Sequence, residues 1–294
     1  MKIILSRKGF DTSKGGGCFP SPLFEDASML SLPIPDRYYG VPYSEIHWNE
    51  GDLATLVSTL TNDQRRLKHN AHIDPDLKYD SLERHPGWRP LFGQAFQAQG
   101  HLRNNNVTVG DLFIFFGLYR NVRKTDKGYI WDKNSHPKHI IWGWLQVDKF
   151  YEVGKMKVSE YPEWARYHPH FKNPSELNNT VYVSKEWLSL SGIPEETVPG
   201  AGVFSHVLDK LILTMPDQDY PTIWKLPEWF YPYDGKVPMT YHPDITRWEK
   251  KAGYTRLKSV SRGQEFIINT EYYPEAISWA LEIIMMSRRL PKSE

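Results

Sequence analysis

The sequence predicts an α+β protein, with a mixed or antiparallel β-barrel or sheet core, flanking helices and long loops. Three observations carry this. Two apolar runs, at 110–117 and 139–147, have the length and composition of buried strands. Helical periodicity is confined to a few separated stretches. Finally, 22 prolines are spread through 294 residues, with no repeat, low-complexity tract or linker, which points to one compact domain over 1–294. A chain of this size buries roughly 75% of its extended surface without cross-links.

The elements follow in order. Residues 2–5 read as a short opening strand, and 7–22 as a loop in which Gly15, Gly16, Gly17, Pro20 and Pro22 exclude regular structure. A helix is expected over 49–60, capped by Asn49, with Glu50 and Asp52 in its first turn and Leu53, Leu56, Val57 and Leu60 on one face. Residues 69–89 are irregular. A second helix is expected over 90–101, with Pro90 in the first turn, Leu91, Ala95, Ala98 and Leu102 on a stripe, and Gly100 near its end. The two apolar strands come next, joined by a polar loop carrying Arg120, Arg123, Lys124, Lys127, Lys133 and Lys138. Short strands are expected at 180–184 and 211–214, a Pro- and Trp-rich loop at 223–241, and a strand or helix edge at 265–268. A closing helix over 274–289 would bury Ile277, Leu281, Ile284 and Met285, and place Arg288 and Arg289 at its C-terminal dipole.

Composition limits the function classes. The formal net charge is +1, so there is no global basic field to hold duplex DNA, and any nucleic-acid contact needs a local patch. The single cysteine, Cys18, excludes an intramolecular disulfide and a Cys-based zinc site, and suits a reducing compartment. Residues 1–8 lack the apolar region of a signal peptide, and no run reaches the ~20 apolar residues of a membrane span, so a cytoplasmic location is expected. Aromatic residues make up 14% of the chain, with 11 Trp, which serve either a Trp-rich core or a stacking surface.

Five constellations bear chemistry. At 6–17, Arg7, Lys8 and Asp11 lead into a glycine-rich loop whose amides and cations suit an anion, although an ordinary glycine turn with solvated lysines fits equally. At 72–76, extended backbone would put His72, Asp74 and Asp76 on one face, as an acid/base set or a metal-binding arc, or else as Asp side chains bonding turn amides. His168 and His170 have the spacing of two ligands on one strand face, but no HExxH motif or cysteine accompanies them, so no metal site is expected there. At 261–266, Arg262, Gln264 and Glu265 surround Gly263 and suit a base edge or a ribose, or form a surface turn. The basic loop 120–139 is flanked by aromatic residues, and simple alternation puts Trp142 and Trp144 on one strand face, as a pocket wall or as core.

The segments KIILSRKGFD at 2–11, HIDPDL at 72–77, GDLFIFFG at 110–117, HIIWGWLQV at 139–147 and RGQEF at 262–266 together resemble the third type of nucleotide modification associated domain. That resemblance implies a bacterial or phage-linked protein tied to modified nucleobases, base-modification systems or phage defence. Separately, the two apolar runs are similar to a strand pair of PUA-like barrels, including ASCH and EVE domains, which bind RNA or modified bases beside that hairpin. This implies a PUA-like β core at approximately 107–214.

The expected function is therefore handling of a nucleotide or nucleic acid with a modified base, in an aromatic and basic pocket. Trp142 and Trp144 would hold the base, Arg7, Lys8, Asp11 and Arg120 the phosphate side, and Arg262 and Gln264 a base edge or anion. The alternative is a hydrolase or transferase with His72, Asp74, Asp76 and Glu265 as its acid/base groups. A further alternative is a non-catalytic scaffold held by partner proteins of a modification operon. No metal is expected, and the sequence does not identify any other cofactor.

Overall fold

The computed structural model describes residues 1–10, 19–173, 175–194, 196–233, 235–261 and 263–286. Its main feature is a mixed, curled nine-stranded sheet forming a half-barrel, with three α-helices against it among the described residues. The α+β expectation holds. The centre is the predicted apolar pair, Leu112–Thr125 and Lys138–Tyr151, paired antiparallel from Lys138 opposite Tyr119 to Gln146 opposite Leu112. The opening strand Lys2–Arg7 runs parallel to the first of these and antiparallel to Glu265–Asn269. On the other side, Asn179–Ser184 pairs with Lys138–Tyr151, and Leu91–Ala95 pairs with Asn179–Ser184. The sheet thus draws on strands on both sides of 107–214. Its first and last strands are tied across the curl, where Gln94 Nε2 donates to Glu265 Oε1 at 2.5 Å.

Each sheet face has its own aromatic core. Phe113 and Phe115 stack on each other and meet Phe92 edge-on on one face, while Phe116, Trp224 and Phe266 pack on the other. Such pairs add about 0.5–1.5 kcal/mol each beyond their burial.

Several local expectations are corrected. The segment expected as a helix over 90–101 is first the strand Leu91–Ala95, and only then helix α2, Phe96–Asn104. Leu91, Phe92 and Gln94 are all buried, so both strand faces are covered and the alternation that marks a strand is absent. Helix α1 is Leu53–Thr61 and buries the expected Leu53, Leu56, Val57 and Leu60, but Asp52 rather than Asn49 caps it, accepting from Thr55 N at 2.9 Å. Helix α3, Glu275–Met286, buries Ala276, Trp279, Ala280, Ile283 and Ile284. Of the expected stripe Ile284 is buried, Ile277 packs half-buried against the core, Leu281 is half-buried and Met285 is exposed; Arg288 and Arg289 lie outside the described residues. At 211–214 there is no continuous strand but a 3-10 turn, Asp209–Leu211, then an isolated bridge from Ile212 to Ile140. The basic loop is largely strand: Leu112–Thr125 runs on through Arg120, Arg123 and Lys124, and Gly128–Trp131 folds back on it.

Two histidines are sealed into this core as neutral rings. His139 is 1% exposed and its Nδ1 accepts from Trp224 Nε1 at 3.0 Å. Burial, with Arg7 nearby, holds its pKa down to about 3, and burial holds His242 down to about 4, from the ordinary 6.5. The unfolded chain binds protons in this range that the folded chain refuses. Their stabilisation is therefore complete above pH ~6.5 and is lost as the pH falls, by up to about 1.4 kcal/mol per pH unit for each ring. Urea unfolding at pH 7 and pH 5 should show a lower midpoint at pH 5, with a shallower dependence in His139→Gln. An unchanged midpoint contradicts this account.

Candidate functional site

A cavity of about 1310 Å³ opens beside the sheet. Three segments distant in sequence meet in its wall: Lys8 and Gly9, His72 to Leu77, and Gly263 with Gln264. Trp142 lines it as well, with Nε1 donating to the carbonyl of Lys8 at 3.2 Å.

Asp74 is the focus of one wall. Its Oδ1 accepts from the Gly93 amide at 2.6 Å and lies 3.4 Å from His168 Nε2, while Oδ2 lies 3.5 Å from His170 Nε2. Burial pushes this carboxyl up, but His168 and His170 more than offset that and hold it well below the usual carboxylate range. Burial also lowers the His168 pKa. His170 fits against Gly93 so closely that a Cβ there would sit 2.2 Å from its ring, so the strand requires glycine at this point. The far nitrogen of His170, Nδ1, is 2.7 Å from Asn179 Oδ1. His72 stands edge-on to His170 with ring centroids 5.3 Å apart, and its Nδ1 is 2.8 Å from Asp36 Oδ2. Burial raises Asp36, but the bonds from His72 and from the Tyr38 and Tyr39 amides outweigh it and bring the pKa to about 2. Among the described residues, His72, Asp74 and His170 form a cluster able to hold a metal ion.

A second polar group lies one residue along the same strand. Glu265 is wholly buried and pairs with Lys8 Nζ at 3.0 Å as well as with Gln94. Burial pushes its carboxyl up, against the opposing pull of Lys8, Ser6 and Gln94. Gln264 Oε1 is 3.4 Å from Gln94 Nε2, which extends the amide cluster to the cavity wall.

The predicted residues thus divide. Lys8, His72, Asp74, Asp76, Gln264 and Trp142 line the cavity, and Glu265 sits behind Lys8. Asp76, however, is held by Arg84 on both oxygens at 2.7 Å, with the Tyr167 hydroxyl on it as well. Arg7 is opposite Phe116, on the other sheet face, and donates to the Ser261 carbonyl. Arg120 donates to the Asp132 carbonyl away from the cavity. Trp144 is buried against Phe204 and donates to the Pro199 carbonyl. The expectation that Trp142 and Trp144 share a face fails because a β-bulge between Ile141 and Gly143 shifts the register. One extra residue inverts the alternation. Asp11 and Arg262 lie outside the described residues.

Sequence reasoning missed Asp36, Gln94 and Asn179, and it set His168 and His170 aside. The His-Pro-His spacing was the available signal for the histidines. Its carboxylate partner is nearly a hundred residues upstream, so no local pattern joins them.

The family model described as nucleotide modification associated domain 3 matches residues 2–269. The chain belongs to that family. No curated protein and no solved structure gives a match. The family description supports an association with nucleotide modification, and no helix among the described residues is long and apolar enough to cross a membrane.

The Asp76–Arg84 pair gives a direct test of structural dependence. Both side chains are 1% exposed, and Arg84 also bonds Ser81 Oγ and lies 4.2 Å from the Trp88 ring centre. Removing one partner leaves a buried charge uncompensated, at a cost of about 3–5 kcal/mol. Arg84→Ala should lose that much in urea unfolding. A loss below about 1 kcal/mol, the range of exposed pairs, contradicts this role.

Proposed function

We propose that this family member binds a nucleobase or nucleotide carrying a modified base in the cavity beside Trp142. The convergence of the segments around Lys8, His72 and Gln264 on one cavity carries this reading. A volume of about 1310 Å³ exceeds the ~300–1,000 Å³ of common small-molecule sites and leaves room for a nucleotide or a short strand end. Trp142, stacked on Phe115, forms part of an aromatic wall, and Gln264 adds an amide of the kind that reads base edges.

The charge balance refines the ligand class. The lysines lining the cavity, Lys8, Lys78 and Lys124, each face a carboxylate, of Glu265 at 3.0 Å, Asp80 at 3.5 Å and Glu50 at 2.8 Å. Recognition then rests on stacking and amide hydrogen bonds more than on phosphate charge. Of the expected pocket, Trp142 stays at the cavity without Trp144, and the basic part is reduced. A base flipped from a strand, or a free nucleoside, fits this balance. The Asp74 cluster in the same wall favours a second reading, in which the bound base is also processed.

Calorimetric titration with nucleosides, nucleotides and oligonucleotides bearing modified bases tests the proposal. Binding should weaken in Trp142→Ala by about 1–3 kcal/mol, the worth of one stacked base. Affinity should change little between 50 and 200 mM salt, unlike that of proteins that grip many phosphates. No binding to any of these ligands removes the reading.

A further inference from the structure

We propose that His72, His170 and Asp74 form a metal centre for a divalent first-row transition ion, with open coordination positions facing the cavity. One ligand atom from each of the three lies within 4.8 Å of the others, and all three residues line the cavity. Ligands about 2.0–2.2 Å from a common ion stand roughly 3–3.5 Å apart, so a small inward movement completes the site.

The hydrogen bonds behind the histidines fix where their protons lie. Asp36 Oδ2 only accepts, so His72 Nδ1 donates to it at 2.8 Å, and the neutral ring keeps its lone pair on Nε2. The Asn179 amide group donates to the His170 carbonyl at 2.9 Å and to the Asn173 carbonyl at 3.2 Å. Its Oδ1 is thereby oriented as acceptor for His170 Nδ1, and the neutral His170 ring also carries its lone pair on Nε2. These are the outer contacts that orient metal-binding histidines, a carboxylate or amide oxygen behind each ring. The carboxylate is oriented too: Gly93 N–H holds Oδ1, with His168 Nε2 3.4 Å from the same oxygen, and Oδ2 is turned toward His170.

This arrangement faces the lone pair of His170 Nε2 with a lone pair of Asp74 Oδ2 at 3.5 Å. With the ring neutral in this tautomer the two repel, and either a proton on Nε2 or a metal ion between them turns the contact attractive. A proton bridges only two groups. A metal ion joins both of these and His72 as well. Two imidazoles and one carboxylate, without thiolate, match Zn²⁺, Fe²⁺, Mn²⁺ or Co²⁺. Three protein ligands leave the remaining positions for water or a ligand atom. Assigning those positions to a base or nucleotide rests on the function proposed above, while ion binding itself does not.

The test uses the untagged full chain, stripped with chelator and titrated separately with Co²⁺, Zn²⁺, Mn²⁺ and anaerobic Fe²⁺. One equivalent should bind, and Co²⁺ should develop visible ligand-field absorption. His72 is partly exposed at the cavity, so His72→Ala should stay folded by circular dichroism and lose affinity by at least 10-fold. Asp36→Asn keeps all three ligands and should weaken binding about 10–100-fold, the usual effect of a changed outer partner. His136→Ala, at an exposed histidine, should leave binding unchanged. Absence of stoichiometric uptake of all four ions by the folded chain overturns the proposal, as does uptake unaffected by His72→Ala. Nucleoside binding is measured in parallel on the stripped protein. Its loss with metal uptake intact counts against the ligand reading alone, and the converse against the metal centre alone.

Discussion

The half-barrel depends on a buried polar contact between its two outermost strands. Gln94 and Glu265 are 171 residues apart in sequence, yet their side chains bond across the curl, with Lys8 completing the group. An ionised carboxylate without partners would not survive there, because desolvation costs several kcal/mol even after relaxation. Lys8 answers the charge, and its ammonium also lies 4.7 Å from the Phe92 ring centre, inside the aromatic layer of the same face. The polar group therefore marks one register of the end strands. A one-residue slip of Glu265–Asn269 would turn Glu265 to the Phe116 face and leave Lys8 and Gln94 unpaired.

That closure also positions the site. The strand Leu91–Ala95 carries Gln94 into the closing group and, one residue earlier, Gly93 against Asp74 and His170. Successive residues point to opposite sides of a strand, so one short segment serves the barrel seam with one face and the histidine cluster with the other. Glycine is needed for its missing side chain, while its backbone amide, which any residue but proline supplies, bonds Asp74. The pocket is consequently built on strands, with the short strand Asn70–His72 bringing in His72 and loops bringing in Asp74, His168 and His170. Functional groups carried by loops gain precision when a rigid strand backs them.

Much of this was legible in the sequence, and the limits have physical causes. The central strands announced themselves because runs such as 112–116 are covered on both faces and hence uniformly apolar. The same property hid Leu91–Ala95, where burial on both faces erased the alternation and left a stripe that also fits a helix. Polar and glycine content singles out 6–17, 72–76 and 261–266 one by one, but whether they meet is a matter of the fold, which lines one cavity with 8–9, 72–77 and 263–264. Trp144 was misplaced because a bulge is a single extra residue with no composition of its own. Asp36 and Asn179 left no signal, since a residue that orients another side chain needs only an acceptor at the right place.

The division of labour among the carboxylates shows how environment, rather than residue type, assigns roles. Asp74 and Asp76 are two residues apart across Pro75, and sequence alone treats them alike. Asp76 meets a guanidinium with matching fork geometry, and its two oxygens are taken up by Arg84. Asp74 meets only imidazoles and one amide, none of which claims Oδ2 at normal hydrogen-bond length. The first arrangement satisfies a charge and anchors the 72–84 segment. The second leaves an oriented, ionised oxygen beside two oriented ring nitrogens at a cavity wall. A chain selected for stability alone would gain from closing that oxygen with a second arginine or with apolar packing. That unclaimed oxygen is what sets Asp74 apart from the structural ion pair of Asp76.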